Sequence, residues 1–150
     1  MIKSAAVLGS GVMGNGIAHS LAAGGYDVVM IDASAAAVDA GLKRIEQNLA
    51  AGVERGKVTP ADAKAIRTRI TSSTSIAAAA AAGIVIEAVP ESMQIKHAVL
   101  RELEAVCSPD AIFATNTSAL SITEIATAVR QPSRVICMHY FNPAHIMKLI

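Results

Sequence analysis

Apolar and polar positions alternate between two patterns along the chain, short continuous apolar runs and longer stretches of 3.6-residue periodicity. Ile2–Leu8, Tyr26–Ile31, Ile84–Val89, Ala111–Thr115 and Arg134–Met138 are short and rich in Val, Ile and Ala, as strands buried on both faces of a parallel sheet are. Ile70–Ser73 is a shorter and weaker strand candidate. Between the runs lie helical stretches. Val12–Ala23 stops at Gly24-Gly25, and Val38, Leu42, Ile45 and Leu49 mark one long amphipathic helix over 34–55 that ends at Gly56. Thr59 and Pro60 then suit the cap and first position of a second helix reaching Arg69. An alanine-rich helix over 76–82, a helix after Pro90-Glu91-Ser92 and a short one over 122–128 complete the series. In the helix after Ser92, Ile95, Val99, Leu103 and Val106 form the expected inner stripe, which places Lys96 and Arg101 off it. The alternation of strand and helix predicts an α/β fold, a doubly wound and mainly parallel sheet, with a helical excursion after the second strand. Spacing alone leaves that excursion either a substrate-holding arm or a plain insertion.

Composition changes this picture little. The 150 residues suit one domain, 53% hydrophobic and 17% charged, and globular rather than disordered. A net charge of +1 without a long Lys/Arg run carries no footprint for nucleic acid or an anionic membrane. The most apolar window, 76–86, is well short of the roughly 20 residues of a membrane span. No targeting peptide pattern precedes the first strand, so the expected location is the cytoplasm. Cys107 and Cys137 read as reduced thiols serving as buried small hydrophobes.

The chemistry starts at Gly9-Ser10-Gly11-Val12-Met13-Gly14, which lies where the first strand turns into a helix. Gly9 suits a tight turn, Gly11 lets a pyrophosphate approach the backbone, and Gly14 lets helix and strand pack closely. The following helix N-terminus presents free N–H groups and a partial positive charge. Asp32 ends the second strand 18 positions after Gly14, near the offset at which this fold places an acid on the adenosine ribose. A carboxylate there repels a 2′-phosphate, and Ala33 and Ser34 supply no cation, so the cofactor expected is NAD rather than NADP. Ligands of such sheets bind beyond the strand carboxyl ends, which adds the loop Asn116-Thr117-Ser118 and His139 to the same rim. An imidazole suits removal of an alcohol proton as hydride leaves. By residue type alone, Asn116 and Ser118 equally suit turns or caps, Asp32 a helix cap, and His139 a structural role. His19 and His97 fall in helices far from the strand ends and read as structural. Metal-ligand spacing and a Gly-x-Ser-x-Gly elbow are both missing, which leaves metal and acyl-serine chemistry without support.

Four stretches in order carry a resemblance: Gly9–Ala18, then Glu87-Ala88-Val89-Pro90-Glu91 with Lys96, then Thr115-Asn116-Thr117-Ser118, then His139-Tyr140-Phe141-Asn142-Pro143 with Met147-Lys148-Leu149. Together they make the whole chain similar to the NAD-binding, Rossmann-type domain of L-3-hydroxyacyl-CoA dehydrogenases. The resemblance implies hydride transfer between L-3-hydroxyacyl-CoA and NAD, giving 3-ketoacyl-CoA. By position it makes His139 the catalytic base, Ser118 a hydrogen-bonding partner of the substrate oxygen, and Asn116 a neighbour of nicotinamide and substrate. It makes Glu91 and Lys96 contacts on the nicotinamide-side ribose, with Gly9, Gly11, Val12, Met13, Gly14 and Asp32 completing the cofactor site. Asn142 and Lys57 are carried over as substrate contacts, Lys57 toward the CoA phosphates. The resemblance further implies a glutamate orienting the histidine immediately beyond Ile150, a helical C-terminal domain outside this sequence, and a homodimer. The 150 residues alone are therefore expected to bind NAD and turn over poorly. The alternatives are a dinucleotide-binding module without activity of its own, or a related dehydrogenase of a non-CoA hydroxy acid.

Overall fold

Successive residues of each buried strand send their side chains to opposite faces of the sheet, and two separate cores result. In the computed structural model, which describes residues 2–147 and 149–150, Ala6, Leu8, Val85 and Phe113 join the core on one face. Val7, Met30, Ile86 and Ala114 join the core on the other. Six strands, β1 (Ser4–Leu8), β2 (Asp27–Ile31), β3 (Ile70–Ser73), β4 (Ile84–Glu87), β5 (Ile112–Thr115) and β6 (Val135–Cys137), form one parallel sheet in the order β3-β2-β1-β4-β5-β6. The helices α1 (Val12–Ala23), α2 (Ala35–Glu54) and α3 (Pro60–Thr68) cover one face. On the other face lie a 3₁₀ turn (Ile76–Ala79), α4 (Met93–Val106) and α5 (Ile122–Ala126). The order reverses between β1 and β4, so the crevice outside their carboxyl ends is the natural ligand site of the architecture.

Local chemistry accounts for the boundaries. α1 begins at Gly11 with no side-chain cap and is followed by Gly25 at φ +90°. Ser34 caps α2 by accepting from the Ala37 N–H, and Thr59 caps α3 from Asp62, with Pro60 at the first position. Gly56, at φ +63°, supplies the left-handed residue that breaks α2 from α3. Ser92 stands at the cap position of α4, but its hydroxyl donates to Gln94 Oε1 instead of accepting from the helix.

Three expectations need correction. The inner stripe of α4 is Lys96, Leu100 and Leu103, while Ile95 is exposed and Val99 only half-buried. An ion pair inside the protein, described below, holds Lys96 there, on the same side as Leu100 and Leu103, with Met93 and Val99 packed beside them. The segment 76–82 is a single 3₁₀ turn, because Ala side chains offer too little apolar area to hold a longer helix against the sheet. Neither cysteine is fully buried: Cys107 is half-buried and Cys137 exposed, the latter at the end of β6, an edge strand of the sheet. Among the described residues no helix is long and apolar enough to cross a membrane, and no group of three or more His, Cys, Asp or Glu could hold a metal ion.

Candidate active site

The rim begins with a turn that only glycine can make. Gly9 has φ +91°, and a Cβ on it would sit 2.7 Å from the Ala88 carbonyl oxygen at the end of β4. A Cβ on Gly14 would lie 1.7 Å from the Gly9 carbonyl oxygen, an impossible distance. At Gly11 the added Cβ would meet nothing within 4 Å. Gly9 and Gly14 therefore serve the fold, whereas at Gly11 the fold leaves open space beside the uncapped N-terminus of α1, the arrangement that admits a phosphate against backbone N–H groups. From the other side α2 closes on the turn: a Cβ on Gly41 would meet Ser10 O at 2.9 Å and Met30 Cε at 2.9 Å.

Asp32 follows β2 on the same rim. Its Oδ2 accepts from both the Ser10 N–H and the Ser10 hydroxyl at 2.9 Å, and its Oδ1 from the Ser34 N–H at 3.2 Å. Partial burial pushes the carboxyl pKa up, but these hydrogen bonds outweigh burial and hold it below the usual carboxylate range. The fixed anion and the glycine turn line a cleft of about 960 Å³, whose opposite wall includes Val89, Pro90, Ile95 and Val99. Ile95, expected in the core, thus stands in an apolar wall of the cleft, and Val99 lines that wall while packing against the core.

Beyond Pro90 the rim is built of side chains. Glu91 Oε1 accepts the Thr117 hydroxyl, the Ser118 N–H at 3.0 Å and the Ala119 N–H at 3.3 Å, and its Oε2 lies 3.3 Å from Lys96 Nζ. Desolvation raises its pKa, and the bonds from Thr117 and Ser118 with the Lys96 charge more than reverse this. Asn116 Oδ1 accepts the Tyr140 N–H at 2.8 Å, which ties the β5 loop to the segment after β6 and directs the amide NH₂ elsewhere. Ser118 Oγ lies 3.0 Å from His139 Nε2, and Phe141 packs beside the imidazole with ring centroids 5.0 Å apart.

The structure thus brings Asn116, Ser118, His139, Glu91 and Lys96 together at one end of the crevice and Gly9–Gly14 with Asp32 at the other. Lys57 is exposed in the α2–α3 turn and Asn142 exposed after β6, and among the described residues no hydrogen bond joins either to these groups. Lys148, in the last resembling stretch, lies outside the described residues. Reading by residue type passes over Ser10, Thr115 and above all Glu87. The signal for Glu87 was present: a lone carboxylate inside an otherwise apolar strand demands a cation, and Lys96 is the nearest to follow it in the sequence.

A 3-2-1-4-5-6 sheet, a glycine turn with room for phosphate and an acid after β2 define a dinucleotide-binding domain, here with a hydroxyl–imidazole pair at the far end of its crevice. Comparison with known proteins agrees. Residues 4–150 match the family model described as 3-hydroxyacyl-CoA dehydrogenase, NAD binding domain, and the chain belongs to that family. It is 44% identical over 149 residues to a probable 3-hydroxybutyryl-CoA dehydrogenase of Bacillus subtilis, covering 99% of this chain and 52% of that protein. The crystal structure of 3-hydroxybutyryl-CoA dehydrogenase from Escherichia coli K12 superposes with a TM-score of 0.96 at 41% identity, over 99% of this chain and 31% of that one. That of (S)-3-hydroxybutyryl-CoA dehydrogenase from Ralstonia eutropha superposes with 0.95 at 38% identity, over 98% and 52%. The chain spans about half or less of the length of these relatives.

Proposed function

We propose that the chain is the cofactor-binding part of an NAD-dependent L-3-hydroxyacyl-CoA dehydrogenase, with His139 as the general base. The observation that carries this reading is the 3.0 Å contact between Ser118 Oγ and His139 Nε2 on the rim that also bears the glycine turn. In the tautomer protonated on Nδ1, Nε2 has a lone pair free to take a proton. A substrate alcohol seated at this pair gives its proton to His139, while the Ser118 hydroxyl hydrogen-bonds the same oxygen as it becomes a carbonyl. NAD, when bound, supplies the hydride acceptor. Asp32 and the backbone around Gly11 hold the adenosine end, Glu91 lies on the nicotinamide side, and the Asn116 amide, oriented by Tyr140, faces substrate or nicotinamide. Acyl-CoA is the proposed substrate, Lys57 and Asn142 its outlying contacts, and a helical domain supplied from outside these 150 residues the cover of the reacting end and the seat of a homodimer contact.

The test is reduction of acetoacetyl-CoA by NADH, with the chain alone and with the helical domain of a relative added in trans. The chain alone is expected to bind NADH and react slowly, and addition of the domain to raise the rate. His139→Gln abolishes the reduction and leaves NADH affinity within a few fold; equal loss of both would make His139 a structural residue.

A further inference from the structure

Behind the rim lies a pair of opposite charges, Glu87 and Lys96, each only 1% exposed. Lys96 Nζ lies 2.8 and 2.9 Å from the two Glu87 carboxylate oxygens and 3.3 Å from Glu91 Oε2. The two contacts to Glu87 are hydrogen bonds to one carboxylate, and the third is an ion pair. Glu87 also grips the β5 loop twice: its carboxylate accepts the Thr115 hydroxyl, and its backbone carbonyl accepts the Asn116 N–H at 3.0 Å. Glu91 then carries the arrangement outward to Thr117, Ser118 and Ala119, and Ser118 reaches His139.

A buried ion pair is a poor device for stability alone, because apolar residues of the same volume commonly do as well or better. Here burial even pushes the Glu87 carboxyl pKa up, against the bonds from Lys96 and Thr115 that favour its charge. What an apolar pair could not provide is a positive charge 3.3 Å from the Glu91 carboxylate. Lys96 leans on a buried anion and presents that charge, so the partly exposed Glu91 carboxylate is held from behind while three donors of the 117–119 turn hold it from the front.

We infer that Glu87 is a positioning residue. Through Lys96 and Glu91 it fixes the 117–119 turn, and with it the Ser118 hydroxyl against His139 Nε2. The inference deepens the proposed function and rests on its assignment of Ser118 and His139, yet its test reads the imidazole directly and does not depend on turnover.

The chain is labelled with ¹⁵N-histidine, the His139 ring resonances are identified by their disappearance in His139→Gln, and spectra are compared for the wild type, Glu87→Gln/Lys96→Met and Glu91→Gln. Circular dichroism reports folding, and an NADH titration is run alongside. The double variant removes both buried charges at nearly constant volume and is expected to fold, yet to lose the hydrogen-bonded Nε2 signature. Glu91→Gln, at an exposed site that leaves the core intact, is expected to lose it too. Unchanged His139 resonances in either folded variant overturn the inference. If the double variant does not fold, Glu91→Gln decides alone: loss of the signature upholds the chain of contacts, and persistence breaks it at its last link. A double variant that keeps the signature but loses NADH affinity shows instead that Lys96 serves the cofactor. Absence of dehydrogenase activity even with the helical domain added in trans, with the shifts as expected, would refute the proposed function and leave Glu87 as a positioning residue.

Discussion

At the β1–β2 end of the crevice the groups that meet a ligand are mostly backbone, supplied within a few residues of one turn and steadied by Ser10 and Gly41. At the β5–β6 end they are side chains brought from β4, α4, the β5 loop and the segment after β6, joined by hydrogen bonds spanning 9 to 28 positions of sequence. The first end is rigid because its atoms leave no room for alternatives. The second is ordered because charges and donors are satisfied only in one arrangement. Steric construction and polar construction fail differently, and the two can be separated by substitution.

The largest effect is expected at the steric end. Gly14→Ala places a methyl inside the Gly9 carbonyl and should cost about 3 kcal/mol or more in a urea titration, with loss of saturable NADH binding. Gly11→Ala, which meets nothing, should leave the urea midpoint in place while weakening NADH binding; an equal effect of both on stability would end the distinction drawn between them. At the polar end, Lys96→Met alone strands a buried carboxylate and should lower stability by about 3–5 kcal/mol, much of which Glu87→Gln in the same chain should restore. If the double variant is no better than the single one, the pair is not coupled as described.

Acid sharpens the comparison from outside both ends. His19 in α1 is buried, its Nδ1 has no hydrogen-bond partner among the described residues, and its ring stacks on His145 with centroids 5.1 Å apart. Burial first, and the neighbouring His145 second, lower its pKa from 6.5 to about 4. The unfolded chain therefore binds a proton that the folded chain refuses between these values. The contribution is fully present above pH 6.5 and is lost as pH falls toward 4, up to about 3 kcal/mol. His19→Phe keeps a stacked ring and should flatten the melting temperature over that window relative to wild type. The smallest effects concern selectivity. Asp32→Ala should weaken NADH about tenfold and narrow its lead over NADPH, and Ser10→Ala, which frees one Asp32 bond, should do the same by a few fold; an unchanged ratio in Asp32→Ala would remove the ribose assignment.

The same contrast explains what could be read from the amino acids. The parallel strands, the glycine turn and Asp32 were legible because each depends on a short local pattern: apolar runs, glycine spacing, an acid at a strand end. Lys96 was placed off the core because hydrophobic periodicity counts a lysine as surface, and only a pair made with a residue nine positions earlier reverses that rule. With Lys96 turned inward, Ile95 stands exposed at the cleft, while Val99 lines the cleft and still packs against the core. The proximity of Ser118 and His139 was foreseen only as a shared rim; their 3.0 Å contact depends on Glu91, whose donors come 26 to 28 positions later.

The seam between β1 and β4 has a consequence for how the molecule assembles. β2 follows β1 closely in the chain, but on its other side β1 meets β4, Ala5 pairing with Ile84 and Leu8 with Glu87, so this seam joins residues about eighty positions apart. Such distant pairing closes late and slowly. The turn at Gly9 abuts Ala88 across this seam, and the cleft takes one wall from each side of it. A dinucleotide bridging the two walls acts as a clasp on the pairing of greatest sequence separation, and NADH should slow proteolytic opening of the chain there before it protects anything else.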